Sequence, residues 1–320
     1  MTRDHPTATD QLFGAIDPED VLRRCGRTFY AASKILPKRV RRDLATLYAF
    51  CRVVDDCADL AQNQPDAEHT TDELIAVITA CLEGTSDRSP IVASFRDLAL
   101  EKDVPLVHAK ELITGVRSDL DHVRVETESE LIRYAYRVAS TVGLMMCRIL
   151  NVPEKGDPFA IDLGIGMQLT NIARDVAEDA RNDRVYVPSD WVDHDELIGV
   201  TRGDTDAGRL RRSVSAVERL LALADEYYES AELGMHFLPA RVRGGIRSAA
   251  WNYRAIGARV RKDPAHALRS RVHTSDLSKA LRSGVAAWQS LLESLPLGPD
   301  DAHKAELHIP LASLRLSQGG

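Results

Sequence analysis

Leu44-Ala-Thr-Leu-Tyr48-Ala-Phe-Cys-Arg52-Val-Val-Asp55-Asp56-Cys-Ala-Asp59 is the stretch on which the fold turns. Its apolar positions Leu44, Leu47, Cys51, Val54 and Ala58 recur at the spacing of one helix face, which predicts a helix packed inward along that stripe. One residue further on, about 100° around the helix, lies a second set: Ala45, Tyr48, Arg52, Asp55 and Asp59. These polar side chains flank the core instead of standing opposite it. Asp56 falls off that stripe and reads as a supporting residue.

The same arrangement returns after Asp157. Ile165, Leu169, Ile172, Val176 and Ala180 form an apolar stripe, and one position earlier stand Gly164, Gln168, Asn171, Asp175 and Asp179, with Arg174 and Glu178 on the other flank. Acidic pairs are common on solvated helices, and like charges four residues apart cost only a few tenths of a kcal/mol. Two such stripes beside two core faces call for a cation. Carboxylates and amide oxygens without a convergent His or Cys suit a hard ion such as Mg²⁺, which keeps waters and substrate phosphates in its shell. No Glu-x-x-His, His-Glu-x-x-His, Walker A or Gly-x-Gly-x-x-Gly occurs, so di-iron, zinc-protease and nucleotide-binding readings lack a motif.

The rest of the chain supports an all-α protein. Helix starts are written at Asp17-Pro18, Thr70 to Glu73, Ser89-Pro90, Thr127 to Glu130 and Asp157-Pro158, and stops at Gly84, Pro153 and Gly234. Helices are expected at 18–34, 38–60, 71–83, 90–101, 105–120, 128–150, 158–181, 206–233, 239–262 and 275–294, with 187–205 as the longest loop. No Gly/Ser- or Pro-rich linker divides the chain. The expectation is a flexible tail over 1–17, one helical domain over 18–295 and a loose tail over 296–320.

Of 320 residues, 44% are hydrophobic and 28% charged, which excludes a disordered or low-complexity chain. A net charge of −7 argues against a nucleic-acid partner. There is no run of 18 apolar residues and no signal-peptide pattern, and five irregularly spaced cysteines form no Cys-x-x-Cys pair. These features predict a cytoplasmic protein with reduced thiols and without a zinc site. His108, His122, His236 and His273 are scattered and receive no role.

On these residues the chain resembles the squalene/phytoene synthase family. Tyr48 to Asp59 matches the first aspartate-rich motif and Gln168 to Pro188 the second, with further matches at Tyr134 to Gly143 and at Thr28-Phe29-Tyr30 before Leu36-Pro37, so the likeness covers about residues 20–280. The resemblance implies an isoprenoid-synthase-type helical bundle around a central apolar cavity. It also implies head-to-head condensation of two allylic prenyl diphosphates through a cyclopropylcarbinyl diphosphate. Two geranylgeranyl diphosphates giving phytoene, on the way to carotenoids, is the leading expectation. A C30 enzyme using farnesyl diphosphate to make dehydrosqualene or squalene is the alternative within the family, and a catalytically inactive helical subunit is the alternative outside catalysis.

The same resemblance assigns Mg²⁺, with Mn²⁺ as a substitute, to Asp55, Asp59, Asn171, Asp175 and Asp179, and no nucleotide cofactor to phytoene formation. Arg27, Thr28, Tyr48, Arg52, Arg174, Arg184, Tyr186 and Arg271 would contact diphosphate, with Gln168 beside them on the second stripe. Phe29, Val138, Ala139, Val142, Gly143, Met146, Leu163, Gly164 and Met167 would line the hydrocarbon channel, and Tyr134 and Tyr253 would face the site. Gly26-Arg27-Thr28 replaces the family's common Ser-x-Ser, while Ala177 and Asn182-Asp183 stand where glycines are frequent. A water-insoluble product implies transient membrane contact, although no C-terminal membrane helix is written.

Overall fold

In a computed structural model, residues 17–25, 30, 36–61, 67–119, 122–270 and 303–316 are described. Among them the structure is helical, with no strand and one isolated parallel bridge pairing Arg124 with Val185. The all-α expectation therefore holds. Packing divides the chain into two compact units, Met1–Asp121 with Met145–Asn151, and His122–Leu144 with Val152–Gly320.

The first unit is built on α2 (Lys38–Ala61), against which pack α1 (Pro18–Cys25), α3 (Ala67–Leu82), α4 (Pro90–Glu101) and α5 (Leu106–Arg117). The core face of α2 is rotated from its predicted position. Ala45, Ala49, Phe50, Val53, Val54 and Cys57 are buried, while Leu44 and Cys51 are only half-buried. Phe50 stacks on Phe95 of α4, ring centroids 4.1 Å apart, which fixes the rotation. Capping at α4 follows the sequence: the Ser89 hydroxyl accepts from the Val92 N–H at 3.4 Å. The box expected at Thr70 does not start a helix, because α3 already begins at Ala67.

The second unit centres on α8 (Asp157–Arg181), which packs against α10 (Ala207–Leu233) and α11 (Ala240–Lys262). All five predicted core residues of α8, Ile165 to Ala180, are buried. The helix expected over 128–150 is α6 (Glu128–Ala135) and α7 (Thr141–Ile149), joined by a π-helical turn at Tyr136–Ser140. In that turn the Thr141 N–H bonds the Tyr136 carbonyl, and Ser140 Oγ donates to the Ile161 carbonyl of α8 at 2.7 Å. Such bulges break an α-helical register and often stand at functional sites.

Two further expectations are corrected. The loop over 187–205 contains α9 (His194–Thr201), started by the Asp193 carboxylate accepting from the Glu196 N–H at 3.0 Å. Residues 303–316, expected in a loose tail, form a 3₁₀ turn at Ala305–Leu311 and a short helix at Ala312–Leu316, after α12 (Pro264–Ala267). Leu311 and Leu314 join the core of the unit, and Tyr227 donates to the Leu307 carbonyl at 2.8 Å. The expected helix at 275–294 lies outside the described residues.

Candidate functional site

On α8, from Ala160 onward, residues left partly open to solvent trace a single stripe: Ala160, Leu163, Met167, Gln168, Asn171, Arg174, Asp175, Glu178 and Asp179. The stripe changes character along its length. Its N-terminal half is apolar and its C-terminal half is rich in oxygen and charge. From Leu163 to Asn171 the helix advances only about 12 Å. The neighbouring π-turn and α7 add half-buried Val138, Ala139 and Val142, apolar side chains that the core does not close over.

The polar half is organised internally. Asn171 Nδ2 donates to Gln168 Oε1 at 3.3 Å, and its Oδ1 is buried without a hydrogen-bond partner among the described residues. Arg174 Nε donates to Asp175 Oδ1 at 2.8 Å, and a second guanidinium nitrogen reaches Oδ2. Burial opposes the Arg174 charge, but the bonds to Asp175 outweigh it and hold the guanidinium above its ordinary range, helped by Tyr253 and Asp179. Arg174, Asp175, Asp179 and Tyr253 thus form one electrostatic neighbourhood.

The turn after α8 carries Arg184 and Tyr186. Asp183 takes a left-handed φ of 61°, which accounts for glycines being natural there. Its carboxylate bonds Arg124 Nη2 at 2.6 Å and meets His122, and the Arg124 bond leads the effects that hold it below the usual carboxylate range. Arg184 N–H then bonds the Asp179 carbonyl at 2.9 Å, and Val185 pairs with Val123 and Val125. This places Tyr186 against Tyr134, rings stacked at 4.7 Å. Asp179, Arg184 and Tyr186 line one small hollow with Ile172, Val176 and Leu197.

On α2 the half-open stripe is Leu44, Tyr48, Cys51, Arg52 and exposed Asp55. Arg52 pairs with Asp56, one turn on, so Asp56 orients the Arg52 guanidinium, and Asp55 is exposed. Burial, with the charges of Asp56 and Asp55 adding to it, pushes the Cys57 thiol up to about 12, which makes it inert packing. The Asp59 side chain, Arg27, Thr28, Phe29 and Arg271 lie outside the described residues. Gly164 has a packing reason: a Cβ there would stand 2.6 Å from Ser140 Cα. Gly143 approaches the Ala160 carbonyl, with a Cβ at 3.0 Å.

The donor set on α8 fits a hard divalent cation. It consists of carboxylates and an amide oxygen, and the Asn171 Oδ1 has no donor among the described residues. The Arg52–Asp56 pairing is the feature that sequence reasoning missed, although its i, i+4 spacing was visible.

The family model for squalene/phytoene synthase matches residues 22–278. A 15-cis-phytoene synthase from Paracoccus sp. is 37% identical over 84% of this chain and 90% of its own length. A phytoene synthase from Pseudescherichia vulneris is 35% identical over 78% of this chain and 83% of its own. Among solved structures, a dehydrosqualene synthase in complex with ligand superposes with a TM-score of 0.72 at 27% identity, covering 90% of this chain and 98% of that one. A squalene synthase from Alicyclobacillus acidocaldarius shares the fold, with a TM-score of 0.66 at 19% identity over 82% of this chain and 97% of that one.

Proposed function

Since the chain belongs to the squalene/phytoene synthase family, we propose that it condenses two geranylgeranyl diphosphates head to head into the C40 hydrocarbon phytoene. The chemistry rests on one observation, the α8 stripe that passes from apolar to oxygen-rich within about three helical turns. Such a stripe suits a substrate with an anionic head and a hydrocarbon chain. The choice of C40 rests on relatives named phytoene synthase.

Asn171, Asp175 and Asp179 would hold Mg²⁺, and Asp55 and Asp59 would serve the same purpose on α2. Bound Mg²⁺ supplies neutralisation of the charge that develops on departing pyrophosphate. Arg174, held in place by Asp175, and Arg184 and Tyr186, set by the bridged turn, offer hydrogen bonds to the same oxygens. On α2, Arg52 and Tyr48 would offer a diphosphate the same kind of hydrogen bond. Val138, Ala139, Val142, Leu163 and Met167 keep water from the allylic cation, which water would quench. The second prenyl chain attacks that cation to form the cyclopropylcarbinyl diphosphate, whose ionisation and rearrangement yield the linear hydrocarbon. So insoluble a product calls for transient contact with a membrane, and among the described residues no helix is long and apolar enough to cross one.

With Mg²⁺ present, geranylgeranyl diphosphate should release pyrophosphate and yield a C40 hydrocarbon by gas chromatography–mass spectrometry, with farnesyl diphosphate slower by about tenfold or more, a discrimination a hydrophobic pocket can supply. Hydrocarbon from farnesyl diphosphate alone would establish the C30 reading, which the dehydrosqualene synthase likeness favours. No pyrophosphate from either substrate would point to an inactive subunit.

The α2 stripe carries its own prediction. Asp55→Ala should cut kcat by about a hundredfold or more, the scale of losing a main electrostatic contact. Asp56→Ala, which removes one ion-pair partner of Arg52, should cost about tenfold. Equal losses in steady-state assays would contradict the assignment of Asp55 to the reacting face.

A further inference from the structure

Away from both acidic stripes, Asp162 of α8 meets two histidines from the far end of the chain. His308 Nε2 lies 2.8 Å from Asp162 Oδ1, and His303 Nε2 lies 2.9 Å from Oδ2. The two imidazoles are 4.4 Å apart between centroids, and Phe159 packs edge-on against His303. One ligand atom from each of the three residues falls within 4.8 Å of the others.

Asp162 is completely buried, and its ion-pairing partners among the described residues are these two histidines. A buried carboxylate without a balancing charge is costly, so the cluster needs a cation. One imidazolium would suffice for that, and a single histidine could provide it. Here two Nε2 atoms converge on the two oxygens of one carboxylate. Ligand atoms in a tetrahedral zinc shell of 2.0–2.1 Å radius stand about 3.3–3.4 Å apart, so a bound ion would replace the two hydrogen bonds and open each nitrogen–oxygen pair by only about 0.5 Å. His303 and His308 are also separated by four residues, within the three-to-five spacing common for paired zinc histidines.

We propose that Asp162, His303 and His308 form a binding site for a divalent transition metal of the zinc class. Two nitrogen donors select such a metal over Mg²⁺, which prefers an all-oxygen shell. The site is distinct from the acidic stripe, since Asp162 and Asn171 are about 14 Å apart along the helix axis. Its role is structural. It clips the 303–311 segment to α8 across 141 and 146 residues of sequence, and Leu311 and Leu314 are set into the core beyond it. The absence of paired cysteines, which had argued against zinc, does not bear on a site made from histidines and a distant aspartate.

The test uses the full chain, stripped by a chelator and titrated with Co²⁺ or Zn²⁺ in saturating Mg²⁺, so that the acidic stripes are already occupied. One Co²⁺ should bind per chain, visible as ligand-field absorption, and Zn²⁺ should raise Tm. His303→Ala and Asp162→Asn should each weaken binding more than about a hundredfold, beyond the loss that follows removal of an outer-shell partner. His303 keeps 14% of its side-chain surface exposed, so its replacement leaves a folded protein even where Asp162→Asn does not. Asp175→Asn should bind Co²⁺ as the unaltered chain does. Failure of the unaltered chain to bind Co²⁺ or Zn²⁺ overturns the proposal and leaves an imidazole–carboxylate hydrogen-bond cluster. Undiminished binding by His303→Ala overturns it equally.

Discussion

Asp175→Asn should lose about a thousandfold in Mg²⁺-dependent pyrophosphate release while keeping the helical content and Tm of the unaltered protein to within a few degrees. The size follows from what the carboxylate does twice over. It would be a direct ligand to the cation that neutralises the leaving group, and it fixes the Arg174 guanidinium through two hydrogen bonds. Removing a single preorganised donor to a developing negative charge costs about 10²–10³ in rate, and loss of the ligand charge adds to that. Asparagine is the informative replacement. It retains an oxygen for Arg174 and removes the charge needed by the metal. Alanine would also leave Arg174 unpaired with only 17% of its side chain exposed, which adds a stability loss of about 1–3 kcal/mol. Comparison of the two by circular dichroism and turnover separates chemistry from folding. Retention of a tenth of the activity by Asp175→Asn would remove this residue from the machinery.

The α8 stripe was legible because bulky Ile165, Leu169, Ile172 and Val176 mark the buried face without ambiguity, so the polar residues beside it fall where the periodicity puts them. On α2 the same reasoning rotated the core. Its buried arc is wide, running from Ala45 through Ala49 and Phe50 to Cys57, and much of it is made of small residues that periodicity weighs lightly. Asp193-x-x-Glu196 was a readable helix start, passed over because α9 is only two turns long. The π-turn had no local signal. It depends on Ser140 reaching the Ile161 carbonyl, a partner 21 residues away. The Asp162–His303–His308 cluster was hidden for the same reason on a larger scale, since no pattern in sequence joins residues more than 140 positions apart.

Gly164→Ala should lower Tm by about 4–8 °C, and its cause lies in that tertiary contact. The new Cβ would stand 2.6 Å from Ser140 Cα and 2.7 Å from its amide nitrogen, both backbone atoms with no rotamer to relieve the clash. Ser140 is in turn tied to α8 through Ile161, so the π-turn cannot move off without breaking a buried hydrogen bond. Overpacking of this kind costs about 1–3 kcal/mol or more. The better helix propensity of alanine returns at most about 1 kcal/mol. Because the obstacle is backbone, the overpacking cost lies at the upper end of that range, and a net loss near 2 kcal/mol corresponds to the stated shift for a large domain. Gly143→Ala, whose Cβ meets one carbonyl oxygen at 3.0 Å, should cost less than half as much. A functional consequence follows from the same displacement, because the π-turn carries Val138 and Ala139 of the apolar wall. Water admitted past that wall should intercept the allylic cation, so Gly164→Ala should release more pyrophosphate per molecule of hydrocarbon formed. Unchanged Tm and unchanged coupling in this variant would show that the crossing has slack and that the wall does not depend on it.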